Sequence, residues 1–283
     1  MIPQRNISLL SNRLARAGGR RIPETVLERD YCLAWFLTGL AQAPLRENLL
    51  FKGGTALKRC YFADYRFSED LDFTLEKPLS LDSILPGLED VYKIVRNASG
   101  VVFRHARADR KQHLNSHTFY LGYEGPLPSL SAKEVKVDIT IDEKIVTEPT
   151  LRPVLRGYPE YSDLPEANMI RVYSLAEIAV EKVAAITDRA RSEPRDLYDI
   201  WHLTSGGDVD LLALTLELGE KFAFRGRKCE AMIDALEQKK LRYKKLWDAR
   251  LAPQMTELPP FDHVYRSVCR TLRAVVAQRR FFA

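Results

Sequence analysis

Two short segments of the chain carry residue types and spacings that suit phosphate chemistry. Gly53-Gly54-Thr55 follows a short apolar segment, and Asp70-Leu71-Asp72 comes soon after it. Residues two apart on a strand share a face, so the two carboxylates would project together. At roughly 6–7 Å apart they repel each other unless a cation lies between them, and Mg²⁺ prefers such oxygen ligands. Glycines at a helix start would offer backbone N–H groups to a phosphate.

Each segment also has an ordinary structural explanation. Asp-x-Asp on a strand edge is common as a solvated face, and two glycines before a helix are common as a turn. A metal-binding element joined by a short helix to a phosphate-binding element is typical of phosphoryl or nucleotidyl transfer. The pair of segments therefore points to that chemistry more strongly than either segment does.

A third carboxylate could complete the site. Residues 135–141 alternate between apolar and polar side chains, which predicts a strand with Asp138 on its polar face. If this strand neighbours the strand of Asp72, Asp138 would complete a three-carboxylate site for two metal ions. Asp142 shares the polar face and is the alternative, but Asp138 is in mid-strand and better held.

Hydrophobic periodicity predicts the elements that position these residues. We expect helices over 24–41, 55–63 and 80–98, and strands over 49–51, 67–75, 101–105, 118–123 and 135–141. Prolines interrupt the pattern from 149 to 165. Ser174-Leu175-Ala176-Glu177 is a capping box that opens a helix to about residue 191, and Pro194 suits the first turn of the next helix. With two or three further helices after residue 208, the chain is mixed α/β up to about residue 170 and helical beyond it.

Composition excludes several classes of protein. The chain has 283 residues with 43 Lys+Arg and 38 Asp+Glu, hence a net charge of +5, and it is rich enough in apolar residues to fold as one large or two modest domains. The longest apolar stretch, Tyr31 to Ala41, is too short to cross a bilayer. The four cysteines and five histidines are too scattered for a disulfide framework or a zinc site. The first 23 residues contain arginines but no acid, as in transit peptides, yet we expect a soluble protein in the reducing cytoplasm.

Several blocks of this sequence together resemble one known family. They are Phe51-Lys52-Gly53-Gly54-Thr55-Ala56-Leu57, Tyr61, Arg66-Phe67-Ser68-Glu69-Asp70-Leu71-Asp72-Phe73, Glu181-Lys182-Val183-Ala184-Ala185-Ile186, Arg189 and Arg195-Asp196-Leu197-Tyr198-Asp199-Ile200. The combination, over residues 50–203, resembles the AbiEii/AbiGii toxin family of polymerase-β-like nucleotidyltransferases.

The resemblance implies an α+β fold. A nucleotidyltransferase domain with N-terminal helices and a small mixed sheet would occupy residues 1–173, and a helical domain residues 174–283. It also implies Mg²⁺, as two ions, and an NTP substrate. The metal ligands would be Asp70, Asp72 and Asp138, and the catalytic set would add Lys182 and Asp199. The nucleotide would contact Lys52, Gly53, Gly54, Thr55, Ser68, Lys182 and Arg189, although Ser68 could instead brace the strand of Asp72.

Spacing alone leaves the role of the helical residues open. Lys182 and Arg189 are seven apart and share a helix face, and Asp196 and Asp199 are three apart on the next helix. The cations could neutralise charge on a triphosphate. Alternatively, they could form interhelical salt bridges such as Arg189 with Asp196 or Lys182 with Asp199. The family resemblance favours the catalytic interpretation.

Basic residues indicate a polyanionic partner. The stretch 221–250 interleaves ten cations with Phe222, Phe224, Tyr243 and Trp247, and a second cluster comprises Arg104, Arg107, Arg110 and Lys111. Such patches bind RNA in some proteins and are merely solvated in others.

The acidic segments and the glycine turn indicate nucleotidyl transfer, and the family resemblance implies a Mg²⁺-dependent toxin that transfers NMP from an NTP to RNA, with tRNA as the expected acceptor. It would belong to a toxin–antitoxin or abortive-infection system, with a cognate antitoxin that need not bind it stably. The alternatives are transfer to a protein or small-molecule hydroxyl, and a catalytically silent nucleotide- or RNA-binding module.

Overall fold

The computed structural model describes residues 1–109, 114–128, 131–188 and 191–280. Its residues pack into two compact units. The first consists of Met1–Glu143, Pro149–Val172 and Gln254–Thr256, and the second of Lys144–Glu148, Tyr173–Pro253 and the chain from Glu257 onward. Each unit is thus assembled from segments that are distant in sequence.

A mixed sheet forms the centre of the first unit. Its strands within the described residues are β1 (Leu49–Lys52), β2 (Leu71–Leu75), β3 (Val102–Ala108), β4 (Ser116–Glu124), β5 (Lys133–Thr140), β6 (Thr150–Pro153) and β7 (Met169–Val172). They lie in the order β3-β4-β5-β2-β1-β7-β6. The β2–β5 and β1–β7 pairs are parallel and the other pairs antiparallel. The predicted α+β class is confirmed, and the described part of the sheet has seven strands.

The α-helices in the described part of the first unit are α1 (Gln4–Arg16), α2 (Glu24–Gln42), α3 (Gly53–Ala56) and α4 (Leu81–Ser99). Helix α2 packs against α4, and almost all its residues from Leu27 to Ala41 are buried. The ends of α4 follow from local chemistry, because Ser80 Oγ accepts the N–H of Ser83 and Gly100 closes the helix with φ +79°.

Several predicted boundaries in this unit were wrong. The strand expected over 67–75 begins only at Leu71, because the backbone N–H of Phe67 donates to the carbonyl of Gln254 at 2.7 Å. The helix expected over 55–63 begins at Gly53 and ends in a π-helical turn over Leu57–Tyr61. The short strands β6 and β7 and helix α1 were not predicted. Four-residue strands leave almost no periodicity to detect.

The second unit is helical. It contains α5 (Leu175–Ile186), α6 (Pro194–Ser205), α7 (Thr215–Phe224), α8 (Met232–Leu251) and α9 (Phe261–Arg280). Ser174 caps α5 as predicted, since its Oγ accepts the N–H of Glu177 at 3.0 Å, and Pro194 opens α6. Helix α5 ends at Ile186, earlier than the predicted residue 191. In the described parts of both units, no helix combines the length and apolar character needed to cross a bilayer.

Candidate active site

A row of four polar residues crosses the middle of the sheet. Asp72 on β2 is the register partner of Lys52 on β1 and of Asp138 on β5, and Asp138 is in turn the partner of Thr118 on β4. Neighbouring strands are about 4.8 Å apart, and register partners share a face. The strands of Asp72 and Asp138 are therefore neighbours, which meets the condition set for Asp138 by the sequence, and the two residues lie side by side.

The apolar residues between these polar ones fix the register. On β5 Val135, Val137 and Ile139 are buried, and on β2 so are Leu71 and Phe73. A one-residue slip of either strand would turn all of these side chains to the opposite face. The burial of this apolar face therefore holds Asp72 and Asp138 opposite each other.

The diglycine turn packs directly against Asp72. Gly53 has φ +83°, and a Cβ on it would lie 2.5 Å from Asp72 Oδ2. A Cβ on Gly54 would lie 2.7 Å from Arg66 Nη2 and 3.1 Å from Ser68 Oγ. A Cβ at either position would have to displace Asp72, Arg66 or Ser68, and the positive φ of Gly53 also favours glycine, so the turn and the acidic segment form one structural element.

Asp70 is held beside this turn but lies outside β2. The hydroxyl of Thr55 donates to the backbone carbonyl of Asp70 at 2.5 Å. Arg66 donates to the Phe67 carbonyl at 3.3 Å and to Gln254 Oε1 at 3.2 Å, so it braces the segment before the strand. The prediction that Asp70 and Asp72 project from one strand was therefore wrong, since Asp70 precedes the first strand residue.

Two lysines balance the charge of the polar row. Lys136 Nζ lies 3.4 Å from Asp138 Oδ2, whose other oxygen accepts the hydroxyl of Thr118 at 3.2 Å. Partial burial would lower the pKa of Lys136, but the carboxylates of Asp138, Asp70 and Asp72 raise it. All three acids thus act on one ammonium group. On the other side Lys52 Nζ donates to Thr140 Oγ1 at 3.1 Å.

The three acids do not form a ready-made metal cage. In the part of the chain that the structure describes, no group of three or more His, Cys, Asp or Glu residues is arranged to hold a metal ion. Their chemistry nevertheless fits one, because hard divalent cations take carboxylate oxygens and keep several water or phosphate ligands. Lys136 is the cation that these acids share in this structure. The sequence analysis missed its role, although Lys136 lies two residues from Asp138 on the same strand face.

Asp142 is placed differently from Asp138. It lies beyond the end of β5 and is exposed, and its backbone N–H and carbonyl both bond to the side chain of Asn115. It has no register partner among the acids of β2. Between the two alternatives, the geometry favours Asp138.

In the second unit, Lys182 and Asp199 form a buried ion pair. Lys182 Nζ lies 2.7 Å from Asp199 Oδ2 and 2.7 Å from Asp196 Oδ1, and Arg191 Nε lies 2.6 Å from Asp196 Oδ2. Burial would raise the pKa of Asp196, but the charges of Lys182 and Arg191 lower it to about 2. The salt bridge between Lys182 and Asp199 is thus present, whatever further role either residue has. Arg189 lies outside the described residues.

Both the acidic and the apolar residues of α6 are buried. Asp196 and Asp199 are at most 1% exposed, Leu197 and Ile200 are fully buried, and Trp201 is partly exposed. In a sequence, a buried acid with a cationic partner looks like any other polar residue, so the burial of Asp196 and Asp199 could not be predicted.

The basic stretch is not a continuous cationic surface with stacking platforms. Phe222, Tyr243 and Trp247 are buried in the core of the unit. Lys221 is buried beside Glu177, and Lys244 pairs with Asp262 at 2.9 Å. In the second cluster Arg104 pairs with Glu124 and Arg107 with Glu134, while Arg110 and Lys111 lie outside the described residues. Of the four aromatic residues in the basic stretch, only Phe224 is exposed, at 44%, so the stretch offers at most one aromatic surface to RNA.

Comparison with known proteins assigns the chain to a family. The family model described as nucleotidyl transferase AbiEii toxin of type IV toxin–antitoxin systems matches residues 35–267. None of the curated proteins matches the sequence significantly.

Solved structures share the fold at low sequence identity. A crystal structure from H. pylori, provisionally described as a nucleotidyltransferase, has a TM-score of 0.58 and 18% identity, over 93% of this chain and 99% of that one. MenT4, a nucleotidyltransferase toxin from Mycobacterium tuberculosis H37Rv, has a TM-score of 0.60 and 16% identity, over 97% of this chain and 92% of that one. The family match, which extends over most of the sequence, shows that this chain belongs to the AbiEii family of nucleotidyltransferase toxins.

Proposed function

We propose that this enzyme is a Mg²⁺-dependent toxin that transfers a nucleoside monophosphate from an NTP to a hydroxyl group of RNA, with tRNA as the acceptor class. The observation that carries the proposal is the side-by-side placement of Asp72 and Asp138 against the Gly53 turn. Nucleotidyl transfer needs acidic ligands and phosphate-binding backbone groups close together, and this placement supplies both.

Asp70, Asp72 and Asp138 are the proposed metal ligands. Bound Mg²⁺, in two ions, would neutralise charge on the phosphates and orient them for in-line attack. Without Mg²⁺, the positive charge of Lys136 offsets part of the negative charge of these three acids. Asp138 accepts the proton of the attacking acceptor hydroxyl in this proposal, and pyrophosphate leaves.

The turn is the proposed triphosphate site. Gly53 and Gly54 would present backbone N–H groups, and Lys52 at the end of the polar row would add a positive charge. The Thr55 hydroxyl already donates to the Asp70 carbonyl, so we assign the backbone of Thr55, rather than its side chain, to the phosphates. Ser68, next to Gly54, completes this set.

Residues of the helical unit complete the proposed catalytic set. Lys182 and Asp199 are assigned to it, and Arg189 together with Lys182 to nucleotide binding, because they match the family's sequence blocks. The short ion pairs of Lys182 with Asp196 and Asp199 fix the position of its ammonium group.

A toxin of a type IV system acts alongside a cognate antitoxin. We propose that the antitoxin counteracts this enzyme without a stable complex and that both act in the cytoplasm. Co-purification of tagged toxin with co-expressed antitoxin tests the first point, and a stable complex would contradict it.

Labelled NTPs test the transfer reaction. The purified chain is incubated with Mg²⁺ and each α-labelled NTP in the presence of total tRNA, of no acceptor, or of small alcohols. We expect label in tRNA and release of pyrophosphate, both abolished by EDTA and by Asp70→Asn. Label on the protein itself or on the alcohols would show that the acceptor is a protein or small-molecule hydroxyl and not RNA. NTP binding with no transfer would identify a catalytically silent module.

A further inference from the structure

An open cavity of about 860 Å³ lies within the helical unit, and none of its described lining residues is among those assigned to the transfer reaction. Its walls come from the end of α5, the connection between α7 and α8, and one face of α8. The charged residues that line it are Asp188, Arg227, Lys228, Asp234, Lys239 and Arg242. Four cations therefore face two carboxylates, and the cavity carries a net positive charge.

Two of these cations are fixed at the end of α5. Lys239, only 8% exposed, donates to the carbonyl of Ile186 at 2.6 Å and to that of Asp188. Arg227 donates to the Ala184 carbonyl at 2.9 Å and pairs with the Asp188 carboxylate at 2.9 Å. The last carbonyls of a helix lack intrahelical partners and carry partial negative charge, so these contacts hold both cations rigidly in the cavity wall.

The other two cations remain available at the opening. Lys228 and Arg242 are exposed, and neither forms an ion pair within the described ranges. Asp188 is engaged by Arg227, which leaves the exposed Asp234 as the other carboxylate of the lining. The charge at the opening is therefore not neutralised by the protein.

The lining selects a class of ligand. Between the charged residues lie only small or polar side chains, such as Ala231, Ala235 and Gln238. A protein partner would need large apolar side chains at the centre of its docking surface, and none is among the lining residues of this cavity. Arginine forks and lysines bind phosphate oxygens well, and a cavity of this volume exceeds what one phosphate fills. Successive phosphates of a nucleic acid strand match both properties.

We propose that this cavity, the α5–α8 pocket, binds backbone phosphates of the RNA acceptor through Lys228 and Arg242 at its opening, with Arg227 and Lys239 as fixed cations in its wall. The proposal rests on the proposed function and gives the RNA a docking site on the helical unit. It replaces the continuous basic stretch, in which Phe222, Tyr243 and Trp247 are buried, by one cavity.

The test compares two double variants with the same change of charge. Lys228→Gln/Arg242→Gln removes the pocket's exposed cations. Lys245→Gln/Arg250→Gln removes an exposed lysine and arginine of α8 that lie outside the pocket. Affinity for fluorescently labelled tRNA is measured by anisotropy over a range of salt concentrations, without NTP.

We expect the pocket variant to bind tRNA about tenfold more weakly than the parent chain. The slope of log affinity against log salt should fall by about 1.4, because each lost contact to single-stranded phosphate removes about 0.7. The control pair should bind like the parent. Equal loss in both pairs, no loss in the pocket pair, or no tRNA binding by the parent would each overturn the proposal.

The transfer assay separates this inference from the proposed function. If label enters tRNA but the two double variants behave alike, the transfer reaction stands and the pocket fails. If no label enters tRNA while tRNA binding is lost only in the pocket pair, the pocket stands and the transfer reaction fails. If both the transfer reaction and the pocket are correct, the pocket variant should regain its transfer rate at high tRNA concentration, with a raised KM and a nearly unchanged kcat.

Discussion

Asp72 and Asp138 are direct register partners on two parallel strands. Like charges directly opposite each other destabilise a sheet, and here the strand spacing of about 4.8 Å separates them. The chain compensates with Lys136, which pairs with Asp138, and with the hydroxyl of Thr118. Two acids that are kept side by side at a cost in stability fit the metal-ligand role proposed for them.

The first prediction distinguishes Asp138 from Asp142. Asp138→Asn should lower nucleotidyl transfer at least 10³-fold, because it removes a metal ligand and the proton acceptor of the hydroxyl. The melting temperature should stay the same or rise, since the change relieves repulsion with Asp72. Asp142→Asn removes the same charge at an exposed position and should retain transfer within about threefold. If Asp142→Asn were the inactive variant, the third ligand would be Asp142.

The polar row shows how much of the candidate site could be predicted from the sequence. Alternation along residues 135–141 placed Asp138 on the polar face of a strand, and β5 confirms it. That β5 pairs with β2 could only be assumed from the sequence, because this pairing depends on contacts between residues distant along the chain. Asp70 was misplaced for a related reason, since the hydrogen bond from Phe67 to Gln254 delays the start of β2. Local periodicity predicts faces, and long-range pairing decides neighbours.

The second prediction concerns Gly53, where the methyl group of an alanine would displace Asp72, a proposed metal ligand. Gly53 and Gly207 both have positive φ, +83° and +79°. Alanine at either position should cost about 1 kcal/mol of stability through backbone strain. A Cβ at Gly53 would also meet Asp72 Oδ2 at 2.5 Å, whereas a Cβ at Gly207 meets nothing within 4 Å.

Gly53→Ala should therefore lower transfer by two orders of magnitude or more, and Gly207→Ala should leave the rate nearly unchanged. Urea unfolding measures the strain and the labelled-NTP assay measures the rate. Equal activity of the two variants would show that the position of Asp72 does not matter for catalysis.

The third prediction is a pH dependence that arises from Asp196. Its pKa is lowered to about 2 in the folded chain, against an ordinary value of 3.8. A depressed folded pKa contributes stability that is complete above the unfolded pKa and is lost as the pH falls towards the folded pKa. Asp196→Asn should lower the free energy of unfolding by about 3 kcal/mol at pH 7, because it leaves Lys182 with one buried carboxylate fewer.

That difference should shrink by about 2 kcal/mol between pH 5 and pH 2, as the wild-type carboxyl becomes protonated. Urea unfolding at a series of pH values measures it. Asp248→Asn, which removes an exposed acid of α8, controls for net charge and should show little effect at any pH. A stability difference that does not change with pH would contradict the assigned pKa.

The buried acids of the helical unit were the least predictable feature. The capping box at Ser174 was predicted, and the hydroxyl of Ser174 does cap α5. The Glu177 side chain, however, is fully buried and accepts the N–H groups of Val146 and Thr147 at 2.9 and 2.7 Å. Its partner Lys221 is distant in sequence, so no local sequence pattern could predict this ion pair.

The fourth prediction tests whether this pair holds the segment Lys144–Glu148 in the helical unit. Lys221 Nζ lies 2.7 Å from Glu177 Oε1 and also donates to the carbonyl of Lys144, and both side chains are fully buried. Lys221→Met should cost about 3–5 kcal/mol because it leaves a buried carboxylate without its counter-ion. Glu177→Gln/Lys221→Met should cost less than the sum of the two single changes, since neither charge is then left buried alone.

Amide hydrogen exchange localises the effect. Exchange at Val146 and Thr147 should accelerate in Glu177→Gln, because the carboxylate that accepts these N–H groups becomes a weaker, neutral acceptor. Glu220→Gln is the matched control. It removes the exposed partner of Lys144, 2.7 Å away, and should change stability by less than about 1 kcal/mol and leave these amides protected. Additive losses for Glu177 and Lys221, or equal exchange in both glutamine variants, would show that the segment is held by other contacts.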